Sequence, residues 1–194
     1  MSERIKNVDH AQRPKEYNGK KFRSDLERNT ARTLDVLNIP YEYEPRKIVL
    51  LEGFRCPYQK DKVRALTYTP DFIIGNIMIE CKGFETPEWK NKKKLVFRYL
   101  IDNEPDTMFY QIHDCKKSLL TVLDNHWITL GKVIKVTSKS TKKNPSVEYK
   151  FSSIREAMDT LHLTGRTIAP IMRSLMGNAQ FVYDYNWKLE NLNL

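Results

Sequence analysis

Residues 68–82, YTPDFIIGNIMIECK, are the stretch that decides the fold of this chain. Both halves are rich in β-branched and aromatic side chains, which favour strands. Gly75 and Asn76 between them suit a two-residue turn whose first residue has positive φ. The stretch therefore predicts a β-hairpin, with one strand over residues 68–74 and the other over residues 77–81.

The second strand of this hairpin carries charge within an apolar run. Residues two apart in a strand share a face, so Met78, Glu80 and Lys82 point the same way. Asp71, in the neighbouring strand, can lie beside Glu80. Charged side chains are costly in an apolar strand unless they have a function, which makes this face a candidate site. The opposite face, directed toward a core, consists of Ile77, Ile79 and Cys81.

These residue types suit metal-dependent hydrolysis of phosphodiester bonds. The carboxylates of Asp71 and Glu80 and the backbone carbonyl of Cys81 would form an oxygen-lined site for Mg²⁺, with Mn²⁺ as a substitute. The ammonium group of Lys82 could orient an attacking water or offset negative charge on phosphorus. The structural alternative is that an aspartate at a strand start and an alternating Glu-x-Lys pair are ordinary solvated surface residues.

The first helix supplies another acid. Ser24 and Glu27 have the spacing of a capping box, which predicts a helix that begins after Ser24. Pro40 ends this helix, because the residue before a proline disfavours helical geometry. Glu27 could complete a second metal position, or it could serve only as the capping acid.

Residues 41–51 are predicted to be extended and residues 52–64 to form a polar loop. Thr86 and Pro87 have the pattern of a cap and first residue of a second helix. The cations of this helix would contact DNA phosphates beside the metal site, although a charge run is also typical of a plain solvated face. They are Lys90, Lys92, Lys93, Lys94 and Arg98.

Composition divides the chain into four parts. Residues 1–20 are polar and basic and are predicted to form a flexible arm. Residues 21–136 are predicted to form an α/β domain with a mixed sheet flanked by helices. Residues 137–146 contain no apolar side chain and are predicted to be a linker or a long hairpin loop. Residues 147–194 are predicted to be a small DNA-binding module.

This C-terminal module is predicted to contain two short helices and a final strand over residues 181–187. Ser153 and Glu156 form a second capping box, and a second helix that begins at Thr167 would place Pro170 in its first turn. Two short helices joined by a glycine-containing turn have the shape of a helix-turn-helix reader, but any two small packed helices give this pattern. The candidate DNA contacts here are Arg155, Arg166 and Arg173.

Four segments, in order, resemble bacteriophage endonuclease I, a family of Holliday junction resolvases in the PD-(D/E)xK nuclease superfamily. The segments are residues 22–27 (FRSDLE), 41–44 (YEYE), 68–72 (YTPDF) and 80–83 (ECKG). The resemblance implies a restriction-endonuclease-like fold and a homodimer that binds branched DNA. It also implies metal binding by Asp71 and Glu80, catalysis by Lys82, and supporting acids at Glu27 and Glu42.

Residues 147–187 resemble a second family, the nuclease-associated modular DNA-binding domains of homing endonucleases. The resemblance lies in residues 151–157 (FSSIREA), Leu161, Thr167 and Ile168. It implies that the module directs cutting to a chosen sequence. We therefore expect a sequence-targeted homing-type phage endonuclease, with a junction resolvase as the alternative.

Composition narrows the other possibilities. A net charge of +9 and a pI near 9.4 favour a polyanionic partner such as DNA. Three widely spaced cysteines without a CxxC pair predict neither a disulfide framework nor a zinc site. The short apolar runs and polar N-terminus predict a soluble, intracellular protein, in the cytoplasm of a bacterial host if it is phage-encoded. A non-catalytic DNA-binding protein is the alternative from another class, and it would have no use for an Asp/Glu/Lys cluster.

Overall fold

The computed structural model of the protein describes residues 15–142 and 144–192. In chain order, the described residues form β1 (Lys15–Tyr17), β2 (Lys20–Phe22), α1 (Asp25–Val36), β3 (Glu42–Tyr43), β4 (Ile48–Leu51), β5 (Phe54–Arg55), β6 (Lys62–Val63), β7 (Leu66–Tyr68), β8 (Phe72–Ile74), β9 (Ile77–Cys81), α2 (Pro87–Asn103), β10 (Met108–Ile112), α3 (Ser118–Asp124), β11 (Lys132–Ser138), β12 (Glu148–Phe151), α4 (Ile154–Thr160), α5 (Ile168–Leu175) and β13 (Tyr185–Asn191).

The first two described strands include residues that were predicted to belong to the N-terminal arm. Residues 1–14 of the predicted arm lie outside the described residues, but residues 15–20 enter a hairpin in which β1 pairs with β2. Asn18 and Gly19 make its turn with φ of 48° and 73°. Asparagine and glycine tolerate this left-handed region better than other residues, so the local sequence suits the turn.

A four-stranded mixed sheet, in the order β10-β9-β8-β3, forms the centre of the fold. The predicted hairpin is confirmed, since β8 and β9 are antiparallel and Gly75 has a φ of 58° in the turn. β10 lies parallel to β9, and α2 makes the crossover that a parallel pair requires. The protein is therefore an α/β protein with mixed sheets.

The strand predicted over residues 68–74 is split into two. β7 pairs with β4 in a separate two-stranded sheet, whereas β8 pairs with β3 and β9. Pro70 lies at the break, because proline has no N–H to donate to a ladder. The polar loop predicted over residues 52–64 likewise contains a short hairpin of β5 and β6.

The two faces of β9 support different cores, as the alternation predicted. Ile77, Ile79 and Cys81 join the larger core with α1, which includes the fully buried Leu34. Met78, on the other face, packs in a smaller core with residues of β4, β7 and α2. The helix ends also follow the sequence: Ser24 and Thr86 cap α1 and α2 by accepting N–H bonds from Glu27 and Trp89.

The C-terminal part is a three-stranded sheet, in the order β12-β11-β13, that carries α4 and α5. The predicted domain boundary at residue 136 falls inside β11, whose residues pair with both neighbours. The predicted linker at residues 137–146 contributes Thr137 and Ser138 to β11, and the residues after them connect β11 to β12. Of the two readings of this segment, the hairpin loop is the one that the strand pairing supports.

Buried contacts join this C-terminal sheet to the rest of the chain. Asp124 Oδ1 accepts hydrogen bonds from Trp127 Nε1 at 3.0 Å and from the Ile154 N–H, at the start of α4, at 2.7 Å. The larger core also continues without a break from Leu119 to Ile134 and Ile154. The C-terminal part is thus packed onto the α/β part and is not a separate module behind a linker.

Two helices and a late strand complete this part. α5 begins after Thr167 and holds Pro170 in its first turn, as predicted. The last strand starts at Tyr185, later than the predicted residue 181, because Tyr183 and Asp184 have φ of 54° and 67° and turn the chain. Among the described residues, no helix is both long and apolar enough to cross a membrane.

Candidate active site

The hairpin register brings Asp71 beside Glu80. Phe72 pairs with Ile79 and Ile73 with Met78, so one further step along the ladder places Asp71 opposite Glu80 on the same face. Both side chains are buried, with 8% and 6% of their surface exposed. The Cys81 N–H donates to Asp71 Oδ2 at 2.7 Å, which fixes one oxygen of this carboxylate.

Tyr68 fixes the other carboxylate. Its hydroxyl donates to Glu80 Oε2 at 2.9 Å, and its ring is buried. The ring centroid lies 5.8 Å from that of Trp89, and the Nζ of Lys92 lies 5.9 Å from the Tyr68 centroid. An aromatic residue of β7 and two residues of α2 thus surround the Glu80 carboxylate.

Lys82 follows β9 directly and lies at the edge of the same face. Its N–H donates to the Ile112 carbonyl at 2.9 Å, and its own carbonyl lies 2.6 Å from Nδ1 of His113. The Lys82 Nζ lies 5.3 Å from the Trp89 ring centroid. Within residues 15–142 and 144–192, no carboxylate forms an ion pair with this ammonium group, so its charge is available for a ligand.

One cleft of about 370 Å³ collects these groups. It brings together six of the predicted site residues: Glu27, Asp71, Glu80, Cys81, Lys82 and Lys92. The other residues that line it are Arg23, Thr67, Tyr68, Thr69 and Trp89. The cleft therefore combines buried acids with basic groups, the combination that recognition of a phosphate and a cation requires.

The electrostatics of the two central acids favour an added positive charge. Burial, and then the neighbouring charge of Glu80, raise the pKa of Asp71 to about 8. Burial raises the pKa of Glu80 to about 7, although the Tyr68 hydrogen bond and the charges of Lys82 and Lys92 act in the opposite direction. Two buried acids side by side hold a proton near neutral pH unless a cation replaces it.

The oxygen atoms of the cleft provide part of the ligands that a hard divalent cation requires. Oδ1 of Asp71 and Oε1 of Glu80 accept no hydrogen bond from the described residues, so each acid has an oxygen to offer. No group of three or more His, Cys, Asp and Glu side chains in the described part of the chain is close enough to hold a metal ion. The Asp71–Glu80 pair would need the Cys81 carbonyl and water to complete a shell.

Glu27 lies in the cleft, but its oxygens are already occupied. The Ser24 hydroxyl donates to Oε1 at 2.8 Å, and the Tyr43 hydroxyl and the Arg23 N–H donate to Oε2 at 2.7 and 3.0 Å. The reciprocal bond of the predicted capping box thus comes from the residue before the cap and not from the cap itself. This network favours a structural role of Glu27 and leaves its role at a metal a prediction.

Glu42 is the predicted acid that the structure does not bring to the cleft. It is exposed on the short edge strand β3, opposite Ile73, and lines a different cleft with Arg46 and Glu104. Glu44 lies near Asp71 instead, because its N–H donates to the Asp71 carbonyl at 2.9 Å. Its φ of 46°, which redirects the chain between β3 and β4, is a backbone feature that strand alternation could not predict.

Arg23, Tyr43 and Tyr68 are the contacts that sequence reasoning missed. The Arg23 guanidinium lies 2.7 Å from Oε1 of Glu44, which is buried and has no hydrogen bond of good geometry. Strand alternation gave no signal for Tyr68, because it lies three residues before Asp71 and an unbroken strand would place the two side chains on opposite faces. Its partner Glu80 is twelve residues away, and only the split of the strand brings the two together.

The predicted DNA contacts divide into groups. Lys92 faces the cleft, Lys93 is bound to Glu85 and Gln111, and Arg98 pairs with Asp102. Lys90 and Lys94 are exposed. The three arginines of the C-terminal part are all exposed and lie outside this cleft: Arg155, Arg166, which stacks over Tyr183 at 5.2 Å, and Arg173.

Comparisons with known proteins add no relative. The chain matches no family model, no curated protein and no solved structure. The residues and the geometry of the cleft are therefore what indicates a function.

Proposed function

We propose that the chain is a divalent-metal-dependent DNA endonuclease of the PD-(D/E)xK type, which hydrolyses phosphodiester bonds. The observation that supports this most is the pairing of Asp71 and Glu80 on one face of the hairpin, with Lys82 two residues further along. The order of elements around the site, α1, β8, β9, α2 and β10, supports the restriction-endonuclease-like fold.

The chain's own residues would bind and orient the scissile group. The unpaired ammonium of Lys82, held 5.3 Å from the Trp89 ring, is placed to contact a phosphoryl oxygen or the attacking water. Lys92, on the same side of the cleft, would contact a neighbouring phosphate. Water attacks phosphorus, the bond to the 3′ oxygen breaks, and the leaving oxygen takes a proton, so a 5′ phosphate and a 3′ hydroxyl result.

The metal would be Mg²⁺, or Mn²⁺ in its place, held by Asp71, Glu80 and the Cys81 carbonyl. When bound, it would polarise a phosphoryl oxygen and lower the pKa of its water. Asp71 and Glu80 are preorganised for this by the Cys81 N–H and the Tyr68 hydroxyl, which each hold one oxygen and leave the other open. Glu27 remains a candidate for a second metal position, but only by giving up bonds within its own network.

Two substrates compete within this proposal. A sequence-targeted homing enzyme is favoured by the C-terminal sheet with α4 and α5, which presents Arg155, Arg166 and Arg173 to solvent. A junction resolvase that acts as a homodimer is the second candidate. It is favoured by the exposed apolar side chains of β4 and α2, among them Leu51 and Ile101, which are 52% and 67% exposed.

A cleavage assay tests the proposal. The protein is incubated with linear duplex, plasmid and a four-way junction, with Mg²⁺ or with EDTA. We expect metal-dependent cuts, and selection between substrates distinguishes the homing enzyme from the resolvase. DNA binding without cleavage of any substrate, in Mg²⁺ and in Mn²⁺, would instead indicate a non-catalytic DNA-binding protein.

A further inference from the structure

Phe84 is a large apolar side chain left in water beside the candidate site. Its side chain is 78% exposed, and among the described large hydrophobic residues only Tyr58 is more exposed. Phe84 belongs to neither buried cluster and to none of the partly buried residues that pack on them. A single exposed apolar side chain is ordinary on a protein surface, so it is the position of this ring two residues after Lys82 that makes it a candidate for contact with a ligand.

The segment that carries Phe84 is short and held at both ends. Lys82 is fixed on one side by its backbone bonds to Ile112 and His113. On the other side, Glu85 is bound to Lys93 and Thr86 caps α2. Because two residues extend by at most about 7 Å, the backbone of Phe84 lies within that distance of Lys82. The ring is therefore presented at the edge of the cleft and not on a long loop.

Cations of the cleft and of α2 lie close to Phe84 along the chain. Lys82 and Lys92 line the cleft, and Lys90 is exposed one turn into α2. The nearest acid, Glu85, is neutralised by Lys93. An exposed aromatic ring among cations that contact phosphates is the arrangement with which proteins hold unpaired bases, because every base offers a π-face for stacking.

We propose that Phe84 stacks on an unpaired or unstacked nucleobase of the DNA next to the phosphate bound in the cleft. The inference rests on the proposed function only in requiring that the cleft binds DNA. It specifies the substrate class, since a fully stacked duplex offers no base face to Phe84 whereas a bulge, a gap or a branch point does. Phe84 thus selects for distorted DNA, and Lys82 and Lys92 bind its backbone.

Binding measured in EDTA, where no cut occurs, tests this directly. Fluorescence anisotropy compares the full chain with Phe84→Ala on three DNAs: a perfect duplex, the same duplex with a two-base bulge, and that duplex with abasic sites in the bulge. We expect Phe84→Ala to weaken binding of the bulged DNA by about tenfold, within the roughly 5- to 150-fold range of lost base stacking. Its affinity for the perfect and abasic DNAs should change less than twofold.

Two further variants separate stacking from loss of exposed apolar surface. Phe84→Trp should keep the affinity of the full chain, and its added fluorescence should be quenched by the bulged DNA and not by the abasic DNA. Phe54→Ala is the matched control, because Phe54 is also an exposed phenylalanine, at 49%, but belongs to β5 and does not line the cleft. It should bind all three DNAs like the unaltered chain.

Other outcomes overturn the inference in distinguishable ways. Equal losses on bulged and abasic DNA would show that Phe84 has no base to stack on, while leaving the proposed nuclease function intact. A change of oligomeric state in Phe84→Ala, measured by light scattering, would assign the ring to a contact between two copies. Failure of the unaltered chain to bind any DNA would refute both the stacking and the proposed function.

Discussion

Replacement of Asp71 by asparagine should stabilise the metal-free protein while abolishing its activity. Burial and the charge of Glu80 raise the pKa of Asp71 from 3.8 to about 8, a shift of about four units. At about 1.4 kcal/mol per unit, the ionised side chain costs at most about 6 kcal/mol in the folded state. Asparagine removes this cost and can still accept the Cys81 N–H bond with its side-chain oxygen.

The net gain is smaller than this upper limit. The hydrogen bond from Cys81 loses its charge assistance, which is worth about 1 kcal/mol. The repulsion between Glu80 and Asp71 belongs to both acids, so the cost assigned to Asp71 alone overestimates the free energy that its replacement recovers. We therefore expect Asp71→Asn to raise the free energy of unfolding by about 2 kcal/mol at pH 8.5, a rise of about 4–8 °C in Tm for a chain of this length.

The pH dependence has a definite sign. The folded state holds the Asp71 proton to higher pH than the unfolded state does, so this contribution to stability is complete below about pH 4 and is lost as pH rises toward 8. The advantage of Asp71→Asn should be absent near pH 4 and largest above pH 8. Urea unfolding in EDTA at pH 5.0, 7.0 and 8.5 measures it.

Mg²⁺ should reverse the order of stability, so that the unaltered chain becomes more stable than Asp71→Asn. A cation bound only by the folded protein adds RT ln(1 + [L]/Kd), about 2.7 kcal/mol at one hundred times Kd, and Asp71→Asn should lose most of this gain. Asp61→Asn, in the exposed connection between β5 and β6, is the matched control and should behave like the unaltered chain. An Asp71→Asn protein that is less stable than the unaltered chain at pH 8.5 in EDTA would contradict the predicted gain in stability.

Four further predictions concern single residues, pH and the chain's division. Glu27→Gln should cost about 1 kcal/mol of stability because the amide turns a donor toward donors, and gel cleavage assays should show lost activity if Glu27 holds metal. Glu156→Gln is the control with full activity, because its carboxylate also accepts a backbone N–H and a serine hydroxyl before a helix but lies outside the cleft. Lys82→Ala should lower the cleavage rate by about 100-fold or more while weakening duplex binding only slightly, as expected for the loss of one phosphate contact, whereas Lys60→Ala, in the exposed connection between β5 and β6, should keep the rate. The cleavage rate should rise from pH 6 to pH 9, as Glu80 and Asp71 lose protons with pKa values of about 7 and 8, and a higher Mg²⁺ concentration should move the midpoint to lower pH. A chain cut after Lys139 should fail to fold, because β11 loses both neighbouring strands and the buried side chains of Ile134 and Val136 become exposed. Circular dichroism and limited proteolysis measure this, and a stable fragment that unfolds cooperatively would contradict the packing described.

The elements that depend only on neighbouring residues could be predicted from the sequence. The caps of α1, α2 and α4 depend on a hydroxyl three residues before an N–H, and all three are present. The β8–β9 hairpin depends on Gly75 and on side chains that alternate, which are properties of adjacent residues. Asp71, Glu80 and Lys82 could therefore be placed on one face before any tertiary contact was known.

Features that depend on distant partners could not be predicted in this way. β11 reads as the end of a domain, because the polar run at residues 137–146 begins within it, but its partners β12 and β13 come later in the chain. Glu42 was expected to support the site because residues 41–44 resemble a known family, whereas the structure brings Glu44 near Asp71. A single residue of positive φ reverses that assignment.

Pro70 explains both the main error in the predicted fold and the rigidity of the site. It breaks the strand predicted over residues 68–74, so β7 leaves the central sheet and pairs with β4. This departure allows the Tyr68 hydroxyl to reach Glu80, and Asp71, freed from the ladder, directs its carbonyl to Glu44 and its carboxylate to Cys81. Both acids are thereby held by bonds to sheet residues, as a preorganised site requires. The shared face of Asp71 and Glu80 was therefore predicted from an uninterrupted strand that does not exist, and the structure keeps it because only β8 and β9 decide which face the two acids share.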